Sequence, residues 1–181
     1  DVAQAPFENL MPILDQRRMV LLDTTASHHV LERLSTVEFT GKRPRLAAAS
    51  LLGAGSITRL LLEGPNSNPD GIEIEAWSLG YLEKDGQLAQ LAARTGGRAV
   101  PIGQGCVSLT AVMSDAKLSA MAASLSECLS GYLDEGLPDE GEVVVGVLVN
   151  DGLSRSFKRH RVGAFRRLKN LDGHVLASVA G

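Results

Sequence analysis

Residues 142–162, EVVVGVLVNDGLSRSFKRHRV, leave few folds open. The run from Val143 to Val149 is rich in β-branched residues and almost wholly apolar, which predicts a strand covered on both faces. Asn150-Asp151-Gly152 is a hairpin signal, so the chain turns back on itself as LSRSFKRHRV. Two such strands call for an antiparallel sheet. Alternation then puts Arg155, Phe157, Arg159 and Arg161 on one face of the returning strand, with Ser154, Ser156, Lys158 and His160 on the other. A strand this polar belongs near a sheet edge.

Around that hairpin the other elements are read from periodicity and turn chemistry. RMVLLDTT, residues 18–25, predicts a strand, and Thr25 or Ser27 is a candidate cap for a helix through HHVLERL. KRPRLAAASLLGAGS is expected as a short helix, because its Ala and Leu content favours that state. SITRLLLEG reads as a strand. GPNSNPDG is a turn, and the partial alternation in GIEIEAWSLGYLEK predicts a neighbouring antiparallel strand. DGQLAQLAARTGG reads as a short helix or ordered loop with Asp85 as cap and Gly96-Gly97 as stop, and GCVSLTAVM as a strand. From Ser114 or Asp115 to Gly136, Leu118, Met121, Ala122, Leu125, Cys128, Leu129, Tyr132 and Leu133 recur at helical spacing, which predicts a helix with one buried face. GAFRRLKNL is expected as a short helix and HVLASVAG as a last strand. Strands outnumber helices, and turns rather than crossover helices join several of them. The fold class expected is α+β, one domain over 18–181 with a largely antiparallel sheet and a few packed helices, preceded by an N-terminal arm over 1–17.

At 181 residues the chain is long enough to bury a core without staples. Cys106 and Cys128 form no disulfide framework or zinc-ligand spacing, and a reducing compartment is expected. The longest apolar run is far short of a membrane span of about 20 residues. DVAQAPFENLMP lacks the pattern of a signal peptide.

The search for chemistry finds no convergent catalytic set. His28, His29 and Glu32 have ligand spacing on a helix but no further named ligand, so a partly exposed helix face is the better reading. LGAGS and RTGGRAVPIGQG depart from the phosphate-loop and dinucleotide patterns and read as turns. Cys106 reads as a small buried residue, and Ser108, Ser114 and Asp115 lack a hydrolase context. No metal, cofactor or catalytic residue is expected.

Charge is segregated. Residues 153–171 hold seven of the eighteen Lys and Arg residues and no acid, in a chain whose net charge is -3, which leaves -10 for the remainder. Arg155, Lys158, Arg159, Arg161, Arg166, Arg167 and Lys169 form a candidate anion-binding surface, which Lys42, Arg43 and Arg45 are candidates to join. With only Phe157 and Phe165 interleaved, base stacking has little support, and attraction to phosphate or an acidic surface is the simpler reading.

The order of elements resembles the matrix proteins of nonsegmented negative-strand RNA viruses. HHVLERLSTVEFTGKRPRLAAASLLGAGS resembles the helix, strand and Gly-Lys-Arg-Pro turn of the rhabdovirus matrix core. GQGCVSLTAVMSD, the amphipathic helix and EVVVGVLVNDGLSRSFKRHRV resemble the elements that close such domains. The likeness spans 18–165 in short pieces. The chain differs in its net acidity and in having no PPxY motif ahead of the domain.

The resemblance implies a non-enzymatic structural protein that self-assembles as a homo-oligomer, binds an anionic membrane surface through basic residues, and links it to a viral nucleocapsid or RNA. Its place would be the virion and the host cytoplasm, peripheral to the membrane, or the cytosol for a protein that is not viral. Two other classes fit the same features: a capsid or coat subunit that binds nucleic acid, and a small cytosolic α+β enzyme that uses the glycine-rich loops and Cys106.

Overall fold

The computed structural model describes residues 20–39, 42–93, 99–101, 109–111, 115–149, 154–169 and 175–178. Its strands are β1 (Val20–Asp23), β2 (Arg45–Leu52), β3 (Ile57–Leu62), β4 (Ala99–Pro101), β5 (Leu109–Ala111), β6 (Gly141–Val149), β7 (Ser154–Val162), β8 (Arg166–Lys169) and β9 (Val175–Ser178). Its helices are α1 (His28–Thr36), α2 (Gly71–Lys84), α3 (Gly86–Ala92) and α4 (Asp115–Glu135). Five strands make the main sheet in the order β1-β2-β3-β6-β7. β1 runs parallel to β2, and the other pairings are antiparallel. β4 pairs with β5 and β8 with β9 as separate antiparallel ribbons. This is an α+β architecture with a mostly antiparallel sheet.

The two faces of the main sheet bury different sets of side chains because successive residues of a strand point to opposite sides. On one face Ile57, Leu61, Val143 and Val145 pack with Ile74 and Leu82 of α2 and Leu88 of α3, and Leu46 packs with Leu31 and Leu34 of α1. On the other, Ala47, Leu60, Leu62 and Val144 pack with Leu125 and Tyr132 of α4. The expectation for 143–149 holds in its first half: Val143, Val144 and Val145 are buried between the two helical layers, while Val147 and Leu148 are half-buried.

Local chemistry accounts for the helix starts. Ser27 caps α1 by accepting from the Val30 N–H, while Thr25 in turn accepts from the Ser27 N–H. Asp85 caps α3 by accepting from the Gln87 and Leu88 N–H groups. A side-chain cap of this kind is worth about 1 kcal/mol. α4 begins at Asp115 and ends before Gly136, whose φ of 100° only glycine adopts readily.

Three sequence readings are corrected. The segment 45–52 is strand β2, not helix. It lies between β1 and β3 with helices over both faces, and the small side chains of Ala47, Ala48 and Ala49 let both layers approach, so tertiary packing overrides propensity. The segment 71–84 is helix α2, not strand. Asp70 accepts from the Ile72 and Glu73 N–H groups while the Glu73 carboxylate accepts from the Asp70 N–H, a reciprocal capping box, and Ile74, Ser78 and Leu82 then fall on one buried stripe. Residues 166–169 form strand β8, held by β9, instead of the expected helix.

The turn from β2 to β3 is tight. Gly53, Ala54 and Gly55 all have positive φ, and a Cβ at Gly53 would stand 1.9 Å from the Leu91 carbonyl oxygen. The β6–β7 turn at Asn150-Asp151-Gly152, the Gly96-Gly97 stop, Cys106, Ser108, Ser114 and the 1–17 arm lie outside the described residues, while the register from Val149↔Ser154 to Gly141↔Val162 is that of an antiparallel hairpin.

Candidate functional site

The basic segment begins on β7, and β7 is the edge of the main sheet. Its side chains divide as strand alternation requires. Toward α4 point Arg155, Phe157, Arg159 and Arg161; toward α2 point Ser156, Lys158 and His160.

On the α4 side two arginines fix the helix. Arg155 donates to the Ala120 carbonyl at 3.1 Å, and Arg159 donates to Cys128 Sγ at 3.8 Å. Four strand residues rise about 13 Å and eight helix residues about 12 Å, so these two contacts hold α4 alongside β7 without strain in register. Arg159 also stands 3.7 Å from the buried Glu142 carboxylate and 5.7 Å over the Tyr132 ring, while 56% of its side chain remains exposed. The Tyr132 hydroxyl donates to Glu142. Burial, followed by that bond, pushes the Tyr132 hydroxyl far above its ordinary pKa, so it stays a donor. Phe157 lies across Gly146 of β6. A Cβ at Gly146 would come within 2.3 Å of both the Phe157 ring and the Thr58 hydroxyl, so the glycine makes room for the ring.

On the α2 side His160 packs against the Tyr81 ring at 4.2 Å and the Trp77 ring at 5.7 Å, and those two rings stack on each other. His160 Nε2 is buried without a hydrogen-bond partner among the described residues. Burial and then the nearby Lys158 cation lower its pKa, so the neutral ring is favoured. Lys158, two residues before His160 on the same face of β7, is exposed.

Lys42, Arg43 and Arg45 do not join this surface. They enter β2, which β3 and β6 separate from β7. Arg43 forms an ion pair with Glu63 at 2.9 Å and donates to the Ser35 and Leu34 carbonyls at the end of α1. Glu63 is 1% exposed and also accepts from the Leu46 and Gly71 N–H groups. Burial raises its carboxyl pKa against the opposing pull of Arg43. Arg45 donates to the carbonyls of Glu63, Pro138 and Glu140. Lys42 is exposed. Arg166 is exposed on β8, and Arg167 and Lys169 share that strand.

A second ionic cluster went unread in the sequence. Buried Arg59 on β3 donates to Ser50, to Ser78 and to Glu75 at 3.1 Å, and Glu75 holds His28 Nδ1 at 2.7 Å. The hydrogen bond to Glu75 raises the His28 pKa. The spacing of 59, 75 and 28 gives no signal until 71–84 is recognised as a helix. His29 stands 3.9 Å from Glu32, and among the described residues no group of His, Cys, Asp and Glu gathers as a metal site.

The chemical contrast is plain. The Arg43–Glu63 and Arg59–Glu75 pairs tie elements together inside, whereas Lys158, Arg161 and Arg166 meet no acidic group among the described residues. Exposed guanidinium groups can grip phosphate or carboxylate with paired hydrogen bonds. Among the described residues no helix is long and apolar enough to cross a membrane. Comparison with family models, with curated proteins and with solved structures finds no match to this chain.

Proposed function

We propose that this chain is a non-enzymatic, matrix-like structural protein that self-assembles and meets an anionic membrane or nucleocapsid through the cationic edge of its sheet. The observation that carries the reading is the exposure of Arg155, Lys158, Arg161 and Arg166 on β7 and β8, within a chain that is acidic elsewhere. Each cation near an anionic leaflet contributes about 1 kcal/mol, so four give reversible peripheral binding. Arg155 and Arg159 have a second role as the struts between β7 and α4 and are left intact in the test.

Co-sedimentation with anionic vesicles, neutral vesicles and single-stranded RNA tests the reading on the full chain. The protein is expected to pellet with anionic vesicles at low salt, and the K158A/R161A/R166A variant to remain in the supernatant. Equal binding by the variant and the parent would sink the surface assignment. Salt-sensitive RNA binding with no vesicle binding would move the reading to a coat subunit that packages nucleic acid.

A further inference from the structure

β7 is nine residues long, and among the described residues its backbone pairs with β6 alone. The outward N–H and C=O groups of alternate residues therefore form a template for one more strand. β1, at the opposite edge, offers four residues.

The side chains along the β7 template define the strand it fits. Arg155, Phe157, Arg159 and Arg161 line one face, and Ser156 and Lys158 the other; all six are exposed. A strand lying beside β7 reaches the cations on both faces of the sheet at once, because its own side chains alternate to the same two faces at the same spacing of about 7 Å. A second β7 in that place would set cations against cations, which is destabilising.

We infer that β7 takes an extended acidic polypeptide segment as a sixth strand. Its carboxylates lie opposite Arg155, Arg159 and Arg161 on the α4 face and Lys158 on the other, and an apolar side chain lies against Phe157. This rests on the reading of β7 as the contact surface, and it names a protein segment as the molecule that pairs with the edge.

The test uses the full chain and a fluorescent peptide, Glu-Thr-Glu-Glu-Val-Thr-Glu, which matches β7 from Arg161 back to Arg155 in antiparallel alignment, together with its reversed order for the parallel one. Each is made unmodified and with N-methyl groups on one or the other alternate set of backbone nitrogens. One parent peptide is expected to bind by fluorescence anisotropy. One methylated set, on the nitrogens that face β7, should bind at least about tenfold more weakly, and the other set should bind like the parent, since only one edge of the added strand is used. K158S/R161S should lose binding to a similar degree.

Equal binding by both methylated sets would overturn strand addition in favour of charge alone. Failure of both parent peptides while anionic vesicles or RNA still bind would overturn the inference and leave the surface reading standing. Failure of peptides, vesicles and RNA together would overturn both.

Discussion

Two basic stretches of this chain, Lys42-Arg43-Pro44-Arg45 and the run from Arg155 to Arg161, look alike as sequence and end in opposite surroundings. In the first, Arg43 reaches a carboxylate that is 1% exposed and Arg45 binds three carbonyls. In the second, Arg161 and Lys158 point to solvent from an edge strand. Local charge does not decide the difference. β2 has neighbours on both sides and Glu63 a short distance away, so Arg43 and Arg45 at its start complete an interior, whereas β7 has one neighbour and its Lys158 and Arg161 face outward.

Substitution at matched positions sharpens or breaks that contrast. Arg43→Ala should be the most damaging, about 3–5 kcal/mol by urea denaturation, because it leaves the Glu63 charge buried without its partner. Arg45→Ala should cost about 1–3 kcal/mol, as carbonyls at Glu63 and Pro138 lose a donor. Arg161→Ala should fall within about 0.5 kcal/mol of the parent. If Arg43→Ala and Arg161→Ala shifted the urea midpoint equally, the division into interior and edge arginines would be wrong.

The same contrast extends to two histidines, with smaller consequences for stability. His28 faces the Glu75 carboxylate and His160 faces the Lys158 cation from within an aromatic box. In NMR titrations His28 should protonate above 6.5, the ordinary value for histidine, and His160 below it. The His28 contribution is present in full below pH 6.5 and fades as pH rises through its folded pKa. For His160 the sign reverses: the stability held above pH 6.5 is lost as pH falls through that value toward its folded pKa. Glu75→Gln should bring the His28 midpoint back toward 6.5 and leave His160 unmoved.

What was legible in the sequence follows the range of the forces involved. The β6–β7 hairpin, the alternation of Arg155 to Arg161, the Ser27 and Asp85 caps and the span of α4 depend on neighbours a few residues away. α2 was misread because Ile72-Glu73-Ile74-Glu75 alternates over four residues, although Asp70 and Glu73 already held the spacing of a capping box. β2 was misread for a different reason: nothing near Ala47 announces that α4 lies on one side and α2 on the other. The site residues follow the same rule. Arg43 meets Glu63 across twenty positions and His160 meets Tyr81 across seventy-nine, distances over which a single sequence carries no pairing signal. Exposure of the β7 cations was legible because an edge strand can be inferred from its own polarity.

The seam between β3 and β6 carries a kinetic consequence. Leu62 pairs with Glu142 although the chain between them builds α2, α3 and α4, while only four residues separate β2 from β3 and four separate β6 from β7. Closing a long loop before its contacts repay the lost entropy is the slow part of forming such a sheet. The two hairpins are therefore expected to zip early and independently, with their docking along the central seam as the slow step in stopped-flow refolding, which leaves the cationic strand as the outer member of a preformed unit.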